Sequence, residues 1–190
     1  EEATAKIFEI SQRAQKRDVT HIYPVITEAF ERMRKAAANE GNISGIPSGF
    51  NELDKITSGW QKSDLVIIAA RPAMGKTAFV LSMAKNIAVD FNIPVALFSL
   101  EMSNVQLINR LIMNVCEIEG NKVRNGRLTP SEWDRLENRI NVLEKAPIYV
   151  DDTPGLSVFE LQSKARKLVK DKKIQLIIID YLQLMNANGS

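Results

Sequence analysis

Ala70-Arg71-Pro72-Ala73-Met74-Gly75-Lys76-Thr77 follows the apolar run Leu65–Ala69 and precedes Ala78-Phe79-Val80-Leu81. A strand, a tight loop and a helix opening on Gly-Lys-Thr form a phosphate-binding loop. Residues Ala70 through Ala78 are the expected cradle: at the mouth of a helix their backbone N–H groups point at a common anion, and the helix dipole favours the same charge. Lys76 is placed to reach the β- and γ-phosphates of a nucleotide, and the Thr77 hydroxyl to hold Mg²⁺. The pattern G-x-x-x-x-G-K-[ST] has one departure, since its first glycine is Ala70. Alanine serves there provided the position needs no positive φ.

Three polar residues elsewhere complete a possible site. Leu176-Ile177-Ile178-Ile179 ends in Asp180, an apolar strand capped by a carboxylate. Such a carboxylate accepts hydrogen bonds from the water around Mg²⁺ while its strand stays buried. Glu101 ends a second apolar run, Ala96–Leu100. Two roles fit it: polarising the water that attacks a γ-phosphate, or complementing the positive end of the helix that follows. Gln183 lies three residues past Asp180, and its amide either senses the γ-phosphate or faces solvent.

The elements that would position these groups alternate. Leu65–Ala69, Val95–Ser99, Ile148–Val150 and Leu176–Ile179 are short, nearly continuous apolar runs, as strands buried on both faces should be. Helix starts lie between them: Ser103 with Gln106, Thr129-Pro130 with Glu132, and Ser157 with Glu160 each have capping-box spacing. This order predicts an α/β fold with a mainly parallel sheet covered by helices.

The first forty residues differ. Glu1–Arg17 reads as a helix, Asp18–Tyr23 interrupts it, and Pro24 opens a second helix at a favoured first-turn position. Ile26, Phe30, Met33 and Ala37 then form a narrow apolar stripe flanked by Glu28, Glu31, Arg32, Arg34 and Lys35, and Asn39-Glu40-Gly41-Asn42 ends the helix. A lone amphipathic helix cannot bury its stripe on itself. Packing on its own domain and docking on a neighbouring subunit both satisfy it.

Composition sets the bounds. The 190 residues suffice for one domain and an appendage, and 45% hydrophobic with 25% charged residues is globular. A formal net charge of +2 gives no independent argument for nucleic acid. Cys116 is the sole cysteine and lies in an apolar stretch, so a buried structural thiol is expected and an internal disulfide is excluded. His21 is the sole histidine and builds no zinc site alone. No apolar run approaches the roughly 20 residues of a membrane span, and the charged start lacks a signal-peptide core, which makes the cytoplasm the expected location.

The strings Ser48-Gly49-Phe50-Asn51-Glu52-Leu53-Asp54 and Thr57-Ser58-Gly59-Trp60, the phosphate loop, Phe98-Ser99-Leu100-Glu101-Met102-Ser103, Asp151-Asp152-Thr153-Pro154 and Asp180-Tyr181-Leu182-Gln183-Leu184-Met185 together resemble the RecA-type core of the DnaB family of bacterial replicative DNA helicases. The resemblance spans essentially the whole chain. It implies that 1–20 are the end of an N-terminal domain and connector, 21–40 a linker helix, and 41–190 a C-terminally truncated ATPase domain. It implies ATP and Mg²⁺ as cofactors and a homo-hexamer assembled through the helix 24–37. Single-stranded DNA, a primase and a helicase loader are the implied partners. Carried over by position, Lys76 and Thr77 bind phosphate and Mg²⁺, Asp180 completes the metal shell, Glu101 is the catalytic carboxylate and Gln183 the coupling residue. In this family Ala70 is an ordinary occupant of the loop. The family's DNA-facing loops and arginine finger are expected beyond Ser190, so a helicase fragment of low intrinsic activity is anticipated. RecA-like recombination or clock ATPases share the Ser-Gly-Phe-x-x-Leu-Asp opening but usually carry a more glycine-rich loop. A nucleotide-binding, subunit-interaction module without turnover is the alternative from another class. A small-molecule kinase would want a lid-like arginine cluster that this chain lacks.

Overall fold

A computed structural model describes residues 21–38, 43–181, 183 and 185, and the chain divides into two compact units, Glu1–Asn42 and Ile43–Ser190. The helix expected over Glu1–Arg17 and the stop at 39–42 lie outside the described residues.

In the first unit, α1 spans Ile22–Ala38. It begins two residues before Pro24, which therefore sits inside the first turn, where a missing N–H costs nothing. Ile22, Ile26, Phe30 and Met33 are all exposed. The side chain of Ala37 lies outside the described residues.

In the second unit, three parallel strands run in the order β2-β1-β3: β1 is Val95–Ser99, β2 Ile148–Asp151 and β3 Leu176–Asp180. β1 pairs in register with both neighbours, Phe98 facing Asp151 and Ile179, and Ser99 facing Asp180. Only this central strand is buried along its whole length; β2 is half-buried and β3 mixed. Burial on both faces is the expectation for all the strands, and it holds only at β1; β2 and β3 are the two edges of the described sheet, where no further strand adds cover.

Leu65–Ala69 corrects the expectation of a fourth strand. The segment has no regular secondary structure and pairs with no described strand, and Leu65 and Ile67 are 83% and 74% exposed. Its apolar composition supplies strand propensity, but a strand also needs a partner edge, and no described strand lies alongside it. Ile68 alone turns onto the core.

The helices follow as α2 (Asn51–Thr57), α3 (Lys76–Lys85), α4 (Asn104–Cys116), α5 (Gly120–Asn125), α6 (Pro130–Lys145) and α7 (Val158–Lys172), with a π-helical turn at Asn86–Asp90 continuing α3. All three expected capping boxes form: Ser103 with Gln106, Thr129 with Glu132 and Ser157 with Glu160. Glu132 also takes a hydrogen bond from Lys122, the main cause that lowers its carboxyl to about 2. One core lies between the sheet, α3 and α4 around Leu81, Ile87, Leu97, Leu107 and Leu111; a second, around Phe98, Leu156 and Ile174, covers the other sheet face. Cys116 is fully buried, and burial raises its thiol, which suits a structural residue.

The Ser48-Gly49-Phe50 turn buttresses α3. Asp54 is 3% exposed and its carboxylate accepts the N–H groups of Ser48 at 2.8 Å and Gly49 at 3.2 Å. Gly49 has φ +79°, and a Cβ there would stand 2.3 Å from that of Asn86, so both backbone and space require glycine. Phe50 stacks on Phe79 of α3 with centroids 5.0 Å apart.

Candidate nucleotide site

The loop 70–75 is exposed throughout and turns into α3 at Gly75 (φ +87°). Gly75 supplies no capping side chain, so the first N–H groups of α3 at Lys76, Thr77 and Ala78 have no side-chain acceptor. Ala70 is not among the residues of positive φ, as its substitution for glycine requires; the loop instead places Ala73 (φ +63°) and Gly75 there. An alanine in that region costs about 1 kcal/mol. Nothing stands within 4 Å of a Cβ built on Gly75, so the space before the loop is open.

Two loop residues meet one carboxylate across the fold. Lys76 Nζ lies 2.7 Å from Asp180 Oδ1, and the Thr77 hydroxyl donates to Asp180 Oδ2 at 2.8 Å. Asp180 is 4% exposed at the end of β3. A hydroxyl oxygen and a carboxylate oxygen side by side are the hard donors that Mg²⁺ takes when substrate phosphates and water supply the rest. The donor set therefore fits a magnesium–nucleotide complex. Among the described residues no cluster of three or more His, Cys, Asp or Glu offers an all-protein metal cage.

Glu101 lies one residue past the β1–β3 pairing. Leu100 donates its N–H to the Asp180 carbonyl at 2.9 Å, which carries β1–β3 pairing one residue past the strand and leaves Glu101 exposed at the same sheet end. Gln183 is exposed and has no described contact with Lys76, Thr77 or Glu101. Arg71 and Met74 project into solvent from the loop. Thus Lys76, Thr77 and Asp180 come together directly, Glu101 follows Leu100 at the same end of the sheet, and no described contact ties Gln183 to them. Tyr181 was not singled out from the sequence. Its ring centroid lies 4.2 Å from Lys76 Nζ, a cation–π contact that orients the ammonium. Its only sequence signal was its place directly after Asp180.

Residues 45–190 match the family described as DnaB-like helicase C terminal domain. A "Replicative DNA helicase DnaB" from Geobacillus stearothermophilus is 42% identical over 189 residues, covering 100% of this chain and 42% of that protein. The Bacillus subtilis "Replicative DNA helicase DnaC" is 40% identical over 99% of this chain and 41% of its own length. The chain thus spans about two-fifths of these relatives. Among solved structures, one titled as an ATPase domain superposes with a TM-score of 0.80 at 37% identity, over 91% of this chain and 62% of that one. A structure titled "The Structure Of A DnaB-Like Replicative Helicase And Its Interactions With Primase" gives 0.76 at 36% identity, over 100% of this chain and 46% of that one.

Proposed function

Because the chain belongs to the DnaB-like helicase C-terminal domain family, we propose that it is the ATP-binding and hydrolysing part of a hexameric replicative DNA helicase that translocates on single-stranded DNA. The observation that carries this reading is the convergence of Lys76 and Thr77 on the Asp180 carboxylate. When bound, magnesium–ATP supplies the phosphoanhydride to be broken and neutralises part of its charge. The uncapped N–H groups at the start of α3 hold the phosphates, and Lys76 turns its ammonium to them while Asp180 remains hydrogen-bonded to Thr77. Glu101 accepts a proton from the attacking water. Gln183, in the string after Asp180, is the residue we assign to coupling.

In a full-length chain, steady-state ATP hydrolysis should be measurable and should rise when single-stranded DNA is added. Tight nucleotide binding with no turnover under either condition would instead favour an interaction module. One solved relative is described together with its interactions with primase, which makes primase the partner we infer for the whole protein. A helicase loader and a cytoplasmic location belong to the same reading; no described helix is long and apolar enough to cross a membrane.

We assign α1 to ring assembly. Ile26, Phe30 and Met33 expose 44%, 60% and 65% of their surface on one face of a charged helix. Burying each such side chain against a neighbouring subunit contributes about 1.5–3 kcal/mol before ordering costs, and a closed ring repeats the contact at every interface. Phe30→Asp should therefore break the ring of the full-length chain into smaller species in sedimentation while nucleotide binding persists. An intact ring would place the stripe against its own chain.

A further inference from the structure

The geometry points to Asp152 as a positioning residue for the Glu101 carboxylate, acting through Asn104 in the first turn of α4. This rests on the reading of Glu101 as the general base.

Glu101 sits in the short connection from β1 to α4, and the two ends of that connection are held differently. At the β1 end, Leu100 donates to the Asp180 carbonyl. The Ser99 hydroxyl donates to the Met102 carbonyl at 2.8 Å and accepts the Met102 N–H at 3.1 Å, so a single buried side chain closes the loop around Glu101. At the α4 end, the Ser103 cap and its Gln106 partner are exposed to water, where such bonds contribute little. Asp152 adds a half-buried anchor. Its Oδ2 accepts the backbone N–H of Asn104 at 2.8 Å and its Oδ1 accepts the side-chain Nδ2 at 3.0 Å. Two parallel bonds to one carboxylate fix a direction as well as a distance. The carboxylate also faces the positive end of a helix of 13 residues.

Asp152 is itself held from the far side of the sheet. Lys164 of α7 lies 2.7 Å from Asp151 Oδ2 and donates to the Thr153 hydroxyl at 2.7 Å, while the Thr153 N–H reaches Asp151 Oδ1 at 3.0 Å. Burial raises the Asp151 carboxyl, but the bonds from Lys164 and Thr153 outweigh it and hold it below its ordinary value. Both neighbours of Asp152 are thereby tied to α7, and α4 cannot swing its first turn without breaking a bidentate contact to a residue flanked by these bonds. A general base displaced by about 1 Å can lose 10²-fold in rate, so fixing this turn bears on turnover rather than on nucleotide affinity. The string Asp151-Asp152-Thr153 thus reads as the strut that sets where Glu101 stands.

The test compares Asp152→Asn, Glu101→Gln and the double variant in a full-length chain. Asparagine keeps the size of the side chain but only one acceptor, so kcat for ATP should fall about tenfold or more while KM and nucleotide affinity stay within twofold. In the Glu101→Gln background the same change should have no further effect, because the group it positions is gone. Asn104→Ala, which removes one arm and keeps the backbone N–H, should give an intermediate loss and guards against a folding defect confined to Asp152→Asn. Parental kcat in Asp152→Asn, an equal loss in both backgrounds, or a loss of affinity matching the loss of rate would each overturn the assignment. Parental hydrolysis by Glu101→Gln alone would instead remove the general-base reading and this one with it.

Discussion

Glu101→Gln should leave nucleotide binding unchanged and lower ATP hydrolysis by a full-length chain about 10²–10⁴-fold, the usual contribution of a positioned general base. The amide retains the shape and polarity of the carboxylate but cannot take a proton from water. Glu101 is exposed on a loop pinned by Ser99 and Leu100, so the substitution disturbs no buried contact. Single-turnover hydrolysis after pre-loading with nucleotide separates the chemical step from binding. A variant that hydrolyses at the parental rate would transfer the role to another carboxylate and leave Glu101 as a companion to the helix dipole.

Lys76→Ala should weaken magnesium–nucleotide binding by more than tenfold, since a charge-assisted contact to phosphate contributes about 1.5–3 kcal/mol. The substitution also removes an ion-pair partner from Asp180, which is 4% exposed, and leaves the Thr77 hydroxyl as that carboxylate's one partner among the described residues. Thermal unfolding measured without nucleotide should therefore fall modestly, and calorimetric titration should show the affinity loss in protein that is still folded. Equal affinities in parent and variant would dissociate Lys76 from the phosphates.

The features legible in the sequence were those set by neighbouring residues. A capping box is a contact between positions three apart, so Ser103, Thr129 and Ser157 announced α4, α6 and α7 without tertiary knowledge. The turn into α3 at Gly75 and the place of Asp180 at the end of β3 were legible for the same reason, and so was the burial of Cys116 within an apolar run. Leu65–Ala69 failed because strand formation depends on a partner that no local pattern encodes. Asn104 and Asp152 lie 48 residues apart, and neither has a spacing that singles it out. The π-helical turn after α3 and the short α2 and α5 likewise follow from packing rather than from periodicity. Pro24 marked its helix but not its first residue, since proline is tolerated anywhere in an opening turn.

Leu65-Val66-Ile67-Ile68-Ala69 has a consequence at the bench. Five apolar residues in succession, three of them β-branched, with no charge, proline or glycine, have the composition of segments that stack into cross-β fibrils. Here the segment has no strand bonded to it among the described residues, so its backbone is open to pairing with a second copy. These 190 residues alone therefore carry an adhesive patch immediately upstream of their phosphate loop. Self-association through this patch is expected to rise with protein concentration, and light scattering over a dilution series checks it.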